Sequence, residues 1–177
     1  MIKLHIGCGK RNFGEHWVHI DGGDFAHVKY HDTTYFLDNS VDLIYSSHLL
    51  AYFDRSEVLD LLAEWRRVLK PNGILRLATP DFEAIAKLYL EEHYSLASFL
   101  GPLYGRMGMN EKQIYHKTCY DFKSLLSILM ISKFRDVKRY DWRKTEHAMH
   151  DDHSKAYLPH LDFENGTLIS LNIEAIK

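Results

Sequence analysis

The sequence predicts a doubly wound α/β fold, and three observations carry that reading. Short β-branched and aromatic runs alternate with a stretch of helical periodicity and with turn-forming residues, as in sheets built from parallel strands and crossovers. The first run closes on a glycine turn, HIGCG at 5–9. Near the C-terminus two strand-like runs follow one another with no helical stretch between them, which makes that pair most simply antiparallel.

Strands are expected at 2–6 (IKLHI), 17–21 (WVHID), 27–31 (HVKYH) and 41–46 (VDLIYS), where β-branched and aromatic residues concentrate. A helix follows at 54–69: Asp54 or Ser56 can cap it, and Val58, Leu61, Leu62, Trp65, Val68 and Leu69 recur at helical spacing. KPNG at 70–73 ends it, because proline cannot continue a helix and Asn-Gly tolerates positive φ. The next strand is ILRLATP, 74–80, and 81–99 reads as helical. Residues 100–120 are rich in Gly and Met and irregular. Asp121 starts a further helix, strand-like FRDVKRYDW follows it, and TLISLNIEAI closes the chain after a polar connection at 143–166. A connection of that length is commonly a lid or binding loop. With no repeat or linker-like stretch, residues 1–177 read as one domain.

A chain of 177 residues is long enough to bury roughly 70% of the surface that its unfolded form exposes. Its 26% of charged residues and net charge of -2 are those of an ordinary globular protein, and Lys and Arg form no basic stripe, so nucleic acid is not the expected partner. Cys8 and Cys119 have neither disulfide-framework nor metal-knuckle spacing, which fits a reducing cytoplasm. No run approaches the 18 or so apolar residues of a membrane span, and Met1 directly precedes a strand-like run with no leader-type pattern, so neither membrane nor export is expected.

In an open α/β sheet the ligand lies beyond the carboxyl ends of the strands. Gly7 and Gly9 lack Cβ atoms and let the backbone approach a ligand there. Asp21, at the end of the second strand, is placed to accept from ribose hydroxyls, and Asp32, at the end of the third, from an adenine amino group. A dinucleotide needs a pyrophosphate on the N-terminus of a full first helix and usually a third glycine. Residues 10–16 hold neither, which leaves a nucleoside-shaped slot and makes a nucleotide-dependent oxidoreductase a distant alternative.

The series HIGCG, VHID, YHD, NSVDLIYSSHLL and EWRRVLKPNGILRLATPD resembles the class I S-adenosylmethionine-dependent methyltransferases, particularly their small-molecule branch, over about residues 2–82. KFRDVKRY and LISLNIEAIK are similar to that family's last two strands. The resemblance implies a three-layer Rossmann-like methyltransferase fold, a mostly parallel seven-stranded sheet of order 3-2-1-4-5-7-6 with strand 7 antiparallel. It implies S-adenosylmethionine as cofactor, with Gly7, Cys8 and Gly9 against its methionine part, Asp21 and Gly22 at the ribose, and Asp32 and Thr33 at the adenine. Ser46, Ser47 and His48 would face the sulfonium and the acceptor.

The chain departs from the family pattern in three places. His5 stands where relatives are often acidic, Leu50-Ala51-Tyr52 stands where they often read L-E-H, and residues 10–16 are too few for the usual crossover helix. His48 is the first candidate for a general base, and Tyr115 with His116 for the wall of an acceptor pocket. His147, His150, His153 and His160 with Asp151 and Asp152 raise a metal hypothesis, but the segment shows no helical frame to fix ligands, so a polar lid is preferred and no metal is expected. The expected activity is methyl transfer to a small polar metabolite or sugar-type acceptor. The alternative is a cofactor-binding or partner-interaction domain of the same fold without turnover.

Overall fold

The computed structural model describes residues 1–23, 25–91, 94–109 and 111–177. Strands β1 (Lys3–Ile6), β2 (Val18–Ile20), β3 (Val41–Ser47) and β4 (Leu69–Pro80) pair in parallel, with helix α1 (Glu57–Val68) crossing from β3 to β4. Helix α2 (Phe82–Glu91), the short α3 (Leu100–Tyr104) and a small antiparallel pair, β5 (Met107–Met109) with β6 (Lys112–Ile114), lead to α4 (Phe122–Ile131) and β7 (Arg135–Arg139). A second short pair, β8 (Tyr157–Leu158) with β9 (Thr167–Leu168), precedes β10 (Ser170–Ile176). The main sheet has the order β2-β1-β3-β4-β10-β7, and β10 runs antiparallel to both its neighbours. Among the described residues no helix is long and apolar enough to cross a membrane.

The order agrees with the expected one, but the sheet has six strands rather than seven. At 27–31 a single parallel bridge joins Tyr30 to Ile20 beside β2, where the third strand was expected. Only Lys29 N to His19 O, 2.9 Å, and Asp21 N to Tyr30 O, 3.3 Å, hold it there. The side chains at its two ends are drawn into the preceding turns instead: the His27 ring lies 3.7 Å from Cys8 Sγ, and His31 Nδ1 lies 3.0 Å from the Asp21 carbonyl. The helix expected over 81–99 is broken: α2 ends at Glu91, Glu92 and His93 lie outside the described residues, and a 3₁₀ turn, Leu96–Phe99, runs into α3. KPNG ends α1 as expected but stays within β4 as a bulge, with Asn72 at φ 64° and the register against β3 shifting between Val41 and Leu43.

Local sequence accounts for the helix starts. Asp54 Oδ1 accepts from Glu57 N at 3.0 Å while Glu57 Oε2 accepts from Asp54 N at 2.9 Å, a reciprocal capping box that fixes the entry to α1. Asp121 and Ser124 do the same for α4. Val58, Leu62 and Trp65 of α1 and Leu125 and Leu129 of α4 then pack on Leu4, Ile6, Ile44 and Leu75 to form the main core.

The opposite face of the sheet is polar. Register places His19, His5, Tyr45, Arg76 and Glu174 side by side across five strands. Two irregular segments, 10–17 and 141–156, cover them. Arg76, only 8% exposed, donates to Glu174 Oε2 at 3.0 and 3.2 Å and to Glu146 Oε2 at 2.7 Å, and Asn172 Nδ2 donates to the Ser154 carbonyl at 2.8 Å. The Tyr45 hydroxyl donates to the Asp152 carboxylate. Phe13 stacks on His150 at 4.6 Å and His147 at 5.4 Å.

Leu62→Ala is expected to cost about 2–5 kcal/mol in urea unfolding, because it opens a void in the main core. Arg76→Ala should cost about 3 kcal/mol by removing the buried partner of Glu146 and Glu174, which keep only Lys3 at 3.3 Å and Lys138 at 3.7 Å. Lys138→Ala, which removes only a 3.7 Å pair at an exposed ammonium, should change stability by about 0.5 kcal/mol or less.

Candidate functional site

The carboxyl ends of β1, β2 and β3 converge on one rim. Gly7 turns the chain at φ 72°, and a Cβ there would meet the Leu49 side chain at 3.0 Å, so close packing excludes larger residues. Gly9, at φ 54°, faces open space. Its amide donates to Asp21 Oδ2 at 2.7 Å, and the Gly23 amide donates to Asp21 Oδ1 at 2.8 Å. Two backbone donors therefore aim the carboxylate at the mouth of the glycine turn, and each oxygen keeps a lone pair for a further donor. Cys8 lies beneath the turn, and burial, followed by the charge of Asp21, pushes its thiol up to about 12, so it remains a protonated packing residue. Gly22 lies against Met109, whose Cε would be 3.5 Å from a Cβ at that position. Beside this turn a cavity of about 300 Å³ is lined by Gly23, Phe25, Ala26, Val28 and His31.

Asp32 and Thr33 follow on the exposed edge. Asp32 Oδ1 accepts from Thr34 N at 2.9 Å and Thr34 Oγ1 at 2.5 Å, bonds that hold its carboxyl below the usual range. Thr33 is buried and donates to Glu64 Oε1 at 3.1 Å, tying this loop to α1.

Ser46 and Ser47, at the end of β3, each hold a buried hydroxyl with no hydrogen-bond partner. His48 then adopts φ 54°, its amide bonded to Ala78 O at 2.8 Å. Its Nε2 lies 3.2 Å from Ser170 Oγ, which donates in turn to Asn172 Oδ1 at 3.0 Å. Burial, then the neighbouring His153, His116 and Arg11, lower the His48 pKa well below the ordinary imidazole value, so it is neutral at pH 7.

Tyr115 is half-exposed, and His116 is turned inward. With Nδ1 3.1 Å from the Pro102 carbonyl, that nitrogen carries the proton and leaves Nε2 as a buried, unpartnered acceptor. Gly105 makes room for the ring: a Cβ there would lie 2.1 Å from His116 Nε2, and φ is 51°. Ala51 and Tyr52, where the sequence leaves the family pattern, tie this region to the sheet. The Ala51 carbonyl accepts from Lys117 N at 2.8 Å, and the Tyr52 hydroxyl donates to the Gly105 carbonyl.

The histidine-rich segment runs along the polar face and up to the same rim. Among the described residues no three His, Cys, Asp or Glu side chains converge as metal ligands. His147 instead lies against Tyr45 at 4.0 Å, and His153 lies 5.1 Å from the His48 ring. Sequence reasoning missed Ser170, Asn172 and Arg11 as parts of this rim. The signal for the first two was two polar residues inside a buried strand.

Because His5, His19 and His147 are buried with lowered pKa values, and the partly buried His48 is lowered too, the unfolded chain takes up protons that the folded one refuses. Stability should be fully present above about pH 6.5 and fall as pH drops toward 4. His147, lowered by burial to about 4, alone contributes on the order of 3 kcal/mol of that loss. Thermal melts from pH 8 to pH 4 check this; a flat melting temperature would sink it. Gly105→Ala should displace His116, read as changed His116 ring resonances, and lower the melting temperature.

Residues 8–77 match the family model described as a methyltransferase domain. Comparison with curated proteins finds no match. Among solved structures, a SAM-dependent methyltransferase from Archaeoglobus fulgidus superposes with a TM-score of 0.59 at 15% identity, covering 99% of this chain and 86% of that one. The 1,6-didemethyltoxoflavin-N1-methyltransferase of Burkholderia thailandensis, with bound 1,6-didemethyltoxoflavin and S-adenosylhomocysteine, gives 0.55 at 11% identity, covering 99% and 70%. A Haloferax volcanii methyltransferase in complex with the Trm112 methyltransferase activator gives 0.53 at 14%, covering 99% and 81%. This chain has the Rossmann-like fold of the class I S-adenosylmethionine-dependent methyltransferases, and its residues 8–77 match their methyltransferase domain.

Proposed function

We infer that the chain binds S-adenosylmethionine and transfers its methyl group to a small polar metabolite or sugar-type acceptor, in the cytoplasm and without a nucleic-acid partner. One observation carries the reading: Asp21, aimed by the amides of Gly9 and Gly23, stands at the lip of an open glycine turn, and the unpartnered hydroxyls of Ser46 and Ser47 end β3, two strands away at the same carboxyl edge of the sheet. That donor and acceptor set fits an adenosyl group. Asp21 and Gly22 would hold the ribose, Asp32 and Thr33 the adenine edge, Gly7, Cys8 and Gly9 the methionine part, and Ser46 and Ser47 the neighbourhood of the sulfonium.

When bound, the cofactor supplies an electrophilic methyl group on sulfur. The protein's share is to hold an acceptor atom in line with it and to exclude water, which accounts for much of the acceleration in such transfers. His48, neutral and hydrogen-bonded to Ser170, is the group placed to take a proton from a hydroxyl acceptor. The half-exposed Tyr115 adds a hydroxyl on the facing insert, which His116, its Nε2 buried against Gly105, helps to hold in place.

A second reading, a cofactor-binding domain without turnover, is favoured by the missing crossover helix at 10–16 and by Met109 lying over Gly22. Calorimetry with S-adenosylmethionine, S-adenosylhomocysteine and NAD tests both. Micromolar binding of the two sulfur nucleosides and none of NAD is expected, and silence from both sulfur nucleosides would remove the main reading. Turnover across an acceptor panel separates enzyme from binding domain. Asp21→Ala should weaken S-adenosylhomocysteine more than about tenfold, given two lost ribose hydrogen bonds, and unchanged affinity would take Asp21 out of the site.

A further inference from the structure

The guanidinium of Arg11 stands at this rim with no acidic partner among the described residues. Its backbone amide closes the glycine turn on the Cys8 carbonyl at 3.0 Å, and its Nε donates to the Asp151 carbonyl at 2.8 Å. One terminal nitrogen lies 3.5 Å from His153 Nε2. Among the described residues no carboxylate pairs with Arg11, and the nearby ones are engaged or turned away. Asp21 serves the Gly9 and Gly23 amides, and Asp152 serves Tyr45 and Ser154. Asp151 offers Arg11 its carbonyl while its side chain is exposed.

A guanidinium has five N–H donors in a planar fork, and here only Nε has a settled carbonyl partner. Beside the rest of the fork stands one imidazole, that of the exposed His153. His153 lies 5.1 Å from His48, which is bonded to Ser170. The charge of Arg11 contributes to lowering His5, His48 and His153, and at His153 the charges of Asp152 and Asp151 oppose it. These contacts lead from the glycine turn toward β3 and β10, whereas Asp21 closes the same turn on the β2 side.

We propose that Arg11 and His153 form an anion subsite on the acceptor side of this centre, so that the methyl acceptor carries a carboxylate or phosphate group. The fork of Arg11 donates to two oxygens of that group, and His153 Nε2, bearing a proton, donates to a remaining lone pair on one of them or, on a phosphate, to a third oxygen. The inference rests on the methyltransferase reading and narrows its acceptor from polar to anionic.

Inorganic phosphate is the probe, titrated into the full chain with and without saturating S-adenosylhomocysteine and followed by the ring resonances of His48 and His153. Saturable millimolar binding that moves both rings is expected. Arg11→Gln should weaken it at least tenfold, and Arg11→Lys, which keeps the charge and loses the fork, by less. Arg11 also anchors the Asp151 carbonyl, so His153→Gln serves as the variant that leaves that tether intact, with phosphate weakened about threefold or more. Affinities for S-adenosylhomocysteine and 5′-methylthioadenosine should stay within twofold in every variant. No saturable phosphate binding to the unsubstituted chain would overturn the subsite. So would an Arg11→Gln loss confined to S-adenosylhomocysteine and absent for 5′-methylthioadenosine, because the guanidinium would then hold the cofactor's own carboxylate. If neither sulfur nucleoside binds, the methyltransferase reading fails, while the phosphate titration still decides the subsite by itself.

Discussion

The hydrogen bond from Tyr45 to Asp152 joins the middle of the sheet to a segment more than a hundred residues further along the chain. Tyr45 sits in the central row of a face that also presents His5, His19, Arg76 and Glu174. An apolar helix laid on such a row would strand the Tyr45 hydroxyl and the His19 ring and leave Arg76 with Glu174 alone, at a cost of about 1–3 kcal/mol for each unpaired group. The polar cover meets most of these needs, with the Phe13 amide donating to His19 Nε2, although His5 Nδ1 stays unpartnered. Asp152 accepts from Tyr45 while capping its own turn through Ser154, Glu146 meets Arg76, and the Ser154 carbonyl meets Asn172. Burial and the adjacent Asp152 raise the phenol pKa well above its ordinary value, so the hydroxyl remains a donor throughout the working range of pH.

The layout of the candidate site follows from that docking. Once 141–156 lies on the sheet, His153 arrives beside His48 and the Asp151 carbonyl arrives at Arg11. Phe13 and Trp17, from the short connection between β1 and β2, complete the cover by packing against Tyr45, Leu43 and His147. The missing crossover helix is thus replaced by side chains from two distant parts of the chain, and the glycine turn is supported from the C-terminal side.

Much of this was legible in the sequence where the signal is local. The glycine turn, the carboxylate at the end of β2, the capping residues Asp54 and Asp121 and the antiparallel final pair are each written in a few consecutive residues, and each appears in the fold. The third strand was overread, because HVKYH has strand composition but its two terminal histidines find better partners in the adjoining turns. The polar face was not legible. His5, Tyr45, Arg76 and Glu174 lie in four separate strands, and only the register between those strands makes them neighbours. The same holds for Arg11 and His153, whose meeting depends on a 142-residue separation in sequence.

That separation has a consequence for how the chain matures. The residues of the glycine turn leave the ribosome before the rest of this rim, yet the contacts that fix the turn from one side, Arg11 to Asp151 and Tyr45 to Asp152, span 140 and 107 residues. Strand β10, which must insert between β4 and β7, is made later still. Long-range closure of this kind is slow and comes after local structure. The helical face can therefore assemble during synthesis, while the ligand rim, although its glycine turn precedes the rest of it in the chain, is completed only when β10 has been delivered.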